Sequence, residues 1–133
     1  MLVYDIAEKL EDAGVGVSGT NIFASKQVLK KSGQETDNCV TIYDTGGLEP
    51  DIYLPVEYPT FEVLIRNKDY SNANAKAYEV YNALHGVMNT TLRAGGFYFY
   101  YIFAINSPQF IGYDSNGRAE YSINFKSHVR SAS

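Results

Sequence analysis

The sequence predicts an α+β fold: an antiparallel sheet of four to six strands, one long helix packed across a face, and a short N-terminal helix. Two segments carry apolar residues at helical spacing, several short segments alternate apolar and polar residues, and stretches rich in Gly or Pro separate them. A chain of 133 residues has the length of one domain, which would bury roughly two-thirds of its unfolded surface. We therefore expect a single domain over residues 1–133.

The first helix is predicted at the N-terminus, where Leu2, Ile6 and Leu10 repeat every four residues. Gly14 is a natural end for it, because glycine readily adopts the left-handed backbone that terminates helices. We expect this helix to pack at an edge of the sheet.

The longest helix is predicted from Ser71, a residue type that caps helix N-termini, to Met88, with Asn89 to Thr91 closing it. The apolar stripe that would face the sheet consists of Ala73, Ala77, Val80, Tyr81, Leu84 and Val87.

Three strands are predicted before this helix. A brief one covers Asn21 to Ser25, a second includes Val40 and Ile42, and a third runs over Phe61 to Ile65, where every second residue is apolar.

The sequence after the helix predicts a hairpin whose second strand is amphipathic. Asp114 to Gly117 can reverse the chain and fold Phe110 to Tyr113 back near Arg118 to Tyr121. In the strand that follows, one side is apolar and the other polar: Tyr121, Ile123 and Phe125 against Ser122, Asn124 and Lys126.

The run from Phe97 to Ile105 has no polar interruption apart from Tyr hydroxyls, so both of its sides need cover. If the long helix covers Phe97, Phe99, Tyr101 and Phe103, the opposite side presents Tyr98, Tyr100 and Ile102. Either another subunit covers these three residues, or the first helix or the Pro-rich loop from Leu48 to Pro59 does. They are our candidates for a subunit contact.

Composition excludes several classes of protein. The net charge of −4 argues against a protein that neutralises nucleic-acid phosphates. No stretch approaches the roughly 20 apolar residues that span a bilayer, so we expect neither membrane insertion nor export. Small basic clusters at Lys30-Lys31 and from Lys126 to Arg130 suit contact with an acidic neighbour.

The sequence offers no constellation for catalysis, a metal or a cofactor. Cys39 is the only Cys, and neither histidine has metal-ligand spacing. We expect His128 to face solvent at a strand end and His85 to be half-exposed on the helix. The carboxylates Asp44, Glu49, Asp51 and Glu57 do not match a calcium loop, so they are interpreted as an acidic surface loop. We therefore expect no enzyme activity.

Three blocks resemble the minor capsid or tail-terminator proteins of long-tailed bacteriophages. They are DTGGLEPD at Asp44 to Asp51, PTFEVLIRNKDYSNANAKAYEVYNAL at Pro59 to Leu84, and PQFIGYDSNGRAEYSINF at Pro108 to Phe125. Together they cover about half of the chain. The order of elements, from helix and hairpin through a Pro-Thr-Phe strand and an Ala-rich helix to a final turn and strand, also agrees.

This resemblance implies a virion protein that is assembled in the bacterial cytoplasm and forms a ring, commonly of six copies, on the head-proximal end of the tail tube. Such a ring stops tube growth and presents a surface to the head-completion or neck protein. On this basis, the loops carrying Lys30, Lys31, Asp44, Glu49, Asp51 and Glu57 are expected to meet the tube or the neck.

Two alternatives stay open. A head-tail connector or neck protein is also small and ring-forming, although the aromatic strands favour the terminator. A small-molecule binding domain would use the aromatic sheet as a pocket wall and would need convergent polar groups, for which the sequence gives no pattern.

Overall fold

The longest strand organises the sheet because both of its edges are paired. The computed structural model describes residues 2–24, 37–49 and 53–130. Strand β8 (Ala119–Arg130) pairs along one edge with β3 (Val56–Glu57) and β4 (Thr60–Asn67). Along its other edge it pairs with β6 (Tyr98–Ala104) and β7 (Gln109–Tyr113). The remaining strands extend this arrangement outwards.

Within the described residues the sheet is mixed and has eight strands, in place of the purely antiparallel sheet of four to six that the sequence predicted. Strand β2 (Cys39–Asp44) pairs antiparallel with β4, and β5 (Val87–Thr91) pairs antiparallel with β6. The exception is β1 (Ile22–Ala24), which pairs with β2 in parallel. The main order is β1-β2-β4-β8-β6-β5, with β3 and β7 paired to β8 beside this path.

Two helices in the part of the chain that the structure describes complete the predicted α+β class. Helix α1 (Leu2–Asp12) contacts β1 and β2 at one edge of the sheet, as expected, and α2 (Tyr70–Leu84) lies against β4, β6 and β8. Gly14 adopts φ of 79° just after α1, which confirms it as the helix terminator.

The limits of α2 differ from the prediction at both ends. The N-cap is Asp69 in place of Ser71, and its carboxylate accepts a hydrogen bond from the backbone N–H of Asn72 over 2.9 Å. At the other end, Gly86 has φ of 87° and stops the helix. Residues 87–91, which were predicted to finish and close the helix, therefore form β5.

The core lies between the helices and the face of the sheet that we call the inner face. Tyr121, Ile123 and Phe125 of β8 are buried in this core, which confirms the predicted apolar side of the strand. The rings of Phe61 and Phe125, paired across β4 and β8, stack with centroids 5.0 Å apart. The opposite face of the sheet, called the outer face, carries the candidate site.

Candidate interaction surface

A β-bulge in β6 decides which aromatic side chains reach the outer face. Phe99 pairs with Val129 and Tyr101 pairs with His128, so two residues of β6 are used for one residue of β8. Tyr100 and Tyr101 consequently lie on the same side, facing His128. The inner face receives Phe99 and Ile102, both fully buried.

The bulge corrects part of the predicted subunit contact. Tyr98 and Tyr100 lie on the outer face, as the alternation predicted, and they are half-buried against Arg130 and His128. Ile102 belongs to the core, and its assignment to the outer face was wrong. The same shift moves Tyr101 and Phe103 outwards, although the sequence placed them under the helix. Strict alternation fails because the bulge inserts one residue into the strand.

The outer face gathers these rings into one group, the outer aromatic cluster. The His128 ring lies 4.6 Å from the Tyr58 ring and 4.6 Å from the Tyr100 ring, centroid to centroid. The Arg130 guanidinium lies 4.5 Å above the Tyr98 ring, a cation–π distance. The members of the cluster are Tyr58, Tyr98, Tyr100, Tyr101, Phe103, His128 and Arg130.

His128 is a part of this cluster, which corrects the expectation that it faces solvent. Its Nε2 atom is buried and has no hydrogen-bond partner within the described part of the chain. His85, on the other hand, is exposed at the end of α2, and its Nδ1 accepts a hydrogen bond from the backbone N–H of Ala104 over 3.0 Å. Both histidines therefore have packing or capping roles in the fold.

The acidic loop between β2 and β3 is only partly described. Asp44, Glu49 and Glu57 are exposed, as expected for a contact loop, while Lys30, Lys31 and Asp51 lie outside the described residues. The loop also exposes large apolar side chains at Leu48, Tyr53 and Leu54. The sequence prediction for this loop named only its charged residues, although apolar residues among carboxylates are a sign of a contact surface.

Strand β7 forms a second exposed aromatic group that the sequence analysis missed. The Phe110 ring lies 5.1 Å from the Tyr70 ring and 5.3 Å from the Tyr113 ring. These three rings and the side chain of Ile111 are substantially exposed. We call Tyr70, Phe110, Ile111 and Tyr113 the β7 patch. A hydrogen bond with Tyr121 raises the pKa of Tyr70 above its ordinary value of 10.0.

The turn that precedes β8 is held by Asp114. Its carboxylate accepts hydrogen bonds from the backbone N–H groups of Asn116 and Arg118, each over 2.9 Å, and from the Arg118 Nε over 2.7 Å. Burial raises the pKa of Asp114, but these hydrogen bonds outweigh burial and hold the pKa below its ordinary 3.8. The predicted hairpin turn thus carries its own carboxylate cap.

Among residues 2–24, 37–49 and 53–130, no three His, Cys, Asp or Glu side chains could jointly hold a metal ion. No helix in these ranges is long and apolar enough to span a membrane. A cavity lined by residues that include Asn21, Cys39 and Lys76 measures about 40 Å³, far below the size of sites that enclose metabolites.

Comparison with known proteins gives a family match and a structural likeness. A family model described as "Bacteriophage tail terminator protein" matches residues 9–130. A chain in the solved structure "Virion of native gene transfer agent (GTA) particle" is similar over 97% of this chain and 94% of its own length, with a TM-score of 0.67. Its sequence identity is 14%, so the likeness concerns the fold. No curated protein matches the sequence.

Proposed function

Because the chain belongs to the bacteriophage tail terminator protein family, we propose that it forms a closed ring, of six copies, on the head-proximal end of the tail tube. The ring stops further addition of tube subunits and gives the head-completion or neck protein a surface to join. It works by geometry and makes or breaks no covalent bond. The family match over residues 9–130 is the observation that carries the proposal.

The outer aromatic cluster supports the subunit contact in this ring. Tyr98 and Tyr100 retain exposed ring surface, and the helices lie on the other face of the sheet. Burying the remaining exposed half of such a ring stabilises a contact by about 1 kcal/mol, so several rings acting together favour closure. Tyr is also a residue type enriched in protein interfaces, because its hydroxyl tolerates a wet boundary.

The loop between β2 and β3 is proposed to meet the tube or the neck. It combines the exposed carboxylates of Asp44, Glu49 and Glu57 with the exposed apolar side chains Leu48 and Tyr53. Such a mixture gives both attraction to a basic partner and apolar area to bury. Lys30, Lys31 and Asp51 are proposed to belong to the same rim.

The place of the protein in the virion can be tested with a phage in which its gene is deleted. Electron micrographs of the lysate are expected to show tails of abnormal length, because nothing stops polymerisation of the tube. Expression of the wild-type chain from a plasmid should restore one uniform length. Normal free tails beside full heads would contradict the proposal and indicate a connector instead.

The ring itself can be tested with purified protein. Native mass spectrometry with and without tail tube protein is expected to show a closed oligomer, since some rings close only on their tube. Tyr100→Ala should weaken this oligomer, whereas Tyr78→Ala, on the exposed side of α2, should leave it unchanged. A monomer at high concentration under both conditions would contradict the ring.

A further inference from the structure

The proposed ring, on which this inference depends, requires two different contact surfaces on every subunit. Copies related by a rotation other than a two-fold meet head to tail, so one patch must bind an unlike patch on its neighbour. The outer aromatic cluster supplies one of them. We infer that the β7 patch is the other, and that it receives the outer aromatic cluster of the adjacent copy.

The open edge of β7 is the first observation behind this inference. Within the described residues, β7 pairs with β8 and with no other strand. Its apolar side chains are among the most exposed in the sheet: Ile111 is 50% and Tyr113 61% accessible, and the adjacent Tyr70 is 47% accessible. An unpaired strand edge with this much apolar surface readily associates with another chain.

The position of the two surfaces is the second observation. Strand β7 pairs with residues Ala119 to Ser122 at the start of β8, whereas the outer aromatic cluster lies beside Lys126 to Arg130 at its end. Eight residues separate Glu120 from His128, which corresponds to about 25 Å along a strand. Two surfaces at opposite ends of a subunit can serve two neighbours at once.

Charge is the third observation. The outer aromatic cluster includes the guanidinium of Arg130 and is bordered by the exposed Lys126, which pairs with Phe103. The β7 patch is bordered by the exposed carboxylate of Asp69 and by Glu120, which pairs with Gly112 of β7. Asp114 and Arg118 form an ion pair over 2.7 Å, so together they add little net charge to the patch. The opposite signs favour contact between unlike patches over contact between like ones.

Cross-linking of two single-site variants tests this pairing directly. Tyr113→Cys places a thiol on the β7 patch and Lys126→Cys places one at the rim of the outer aromatic cluster; Cys39 is buried and does not compete. The two variants are mixed in equal amounts with tail tube protein and treated with a short bismaleimide. We expect links between positions 113 and 126 to exceed 113–113 and 126–126 links at least tenfold.

A matched control uses Tyr78→Cys, whose side chain is exposed on α2. This variant should give few links with either partner. Dominant 113–113 or 126–126 links, or links at position 78 as frequent as those at 113, would overturn the inference. If either cysteine variant fails to assemble, the pair Gln109→Cys and Tyr98→Cys replaces it.

Native mass spectrometry of the same mixtures separates this inference from the proposed ring. A closed oligomer without 113–126 links overturns the pairing and leaves the ring intact. No oligomer with wild-type protein and tube overturns both. As an independent measurement, Ile111→Lys combined with Tyr113→Lys should reduce ring formation at least tenfold without lowering the melting temperature, while Tyr78→Lys should assemble normally.

Discussion

Arg93 donates a hydrogen bond from its Nε to Oδ1 of Asp5 over 2.7 Å, joining residues 88 positions apart in the sequence. The Asp5 carboxylate is fully buried and also accepts a hydrogen bond from the backbone N–H of Phe97 over 3.0 Å. The pair ties α1 to the segment that leads into β6. Removing one partner from such a pair leaves the other polar groups without compensation.

Asp5→Ala should therefore destabilise the fold by about 2 to 3 kcal/mol, somewhat below the cost of breaking a fully buried pair because Arg93 keeps some solvent access. Urea unfolding measures the difference. Glu8→Ala, an exposed position on the same helix, should change the free energy of unfolding by less than about 0.5 kcal/mol. Equal effects of the two substitutions would contradict the structural role of Asp5.

Gly96 lies so close to Asp5 that an added Cβ would overlap the carboxylate. Gly96→Ala should cost about 1 to 3 kcal/mol, because either the side chain of Asp5 or the backbone must shift. In an Asp5→Ala background most of this cost should disappear, since the overlapping atoms are gone. Additive effects in this double-mutant cycle would show that the two positions are independent.

Asp114 should make stability depend on acid pH. Its pKa is lowered in the folded state, so its contribution is complete above its ordinary pKa of 3.8 and is lost as the pH falls through the lower folded-state pKa. Asp114→Asn should cost about 1 to 3 kcal/mol at pH 7 and lose most of that effect at strongly acid pH. Unfolding midpoints across this pH range measure the difference. Asp12→Asn, at an exposed carboxylate, should not reproduce the profile.

Substitutions at Asp69 and Ser71 test which of the two residues caps the N-terminus of α2. Asp69 accepts the capping hydrogen bond, so Asp69→Ala should lower the free energy of unfolding by about 1 kcal/mol. Ser71 lies within the first turn and is exposed, and Ser71→Ala should have almost no effect. The reverse order of the two effects in thermal unfolding would restore Ser71 as the cap.

The bulge in β6 separates the effects of Ile102 and Tyr100. Ile102→Ala should cost about 2 to 5 kcal/mol, because it opens a cavity among buried residues. Tyr100→Ala should cost less in the isolated chain, since its ring is half-exposed, and should act mainly on self-association. Denaturant unfolding at protein concentrations too low for association measures both effects. A larger loss of stability from Tyr100→Ala than from Ile102→Ala would contradict this position of the bulge.

Local patterns in the sequence predicted most of the elements, because helix periodicity and strand alternation are set by neighbouring residues. Helix α1, the strand around Val40, and the buried side of β8 are confirmed. Asp69 and Ser71 are both good caps at nearly the same place, so propensity alone could not separate them. The parallel pairing of β1 depends on distant parts of the chain and leaves no local signal.

The candidate surface was predicted only in part, because it too depends on pairing between distant parts of the chain. Tyr98 and Tyr100 were placed on the outer face by alternation, and Ile102 was misplaced because the bulge is defined by pairing with β8. In the sequence, the apolar residues of β7 resemble those of a strand that packs against the core. Their exposure follows from the position of β7 at an open edge, which only the topology reveals.

The extra residue in β6 adds an outward phenol without moving any inward side chain. Loss of Tyr100 would leave Phe99 opposite Val129 and Tyr101 opposite His128, so the interior would keep its packing while the exterior lost one ring. A change in chain length by a single residue can thus reshape one surface of the sheet and spare the core.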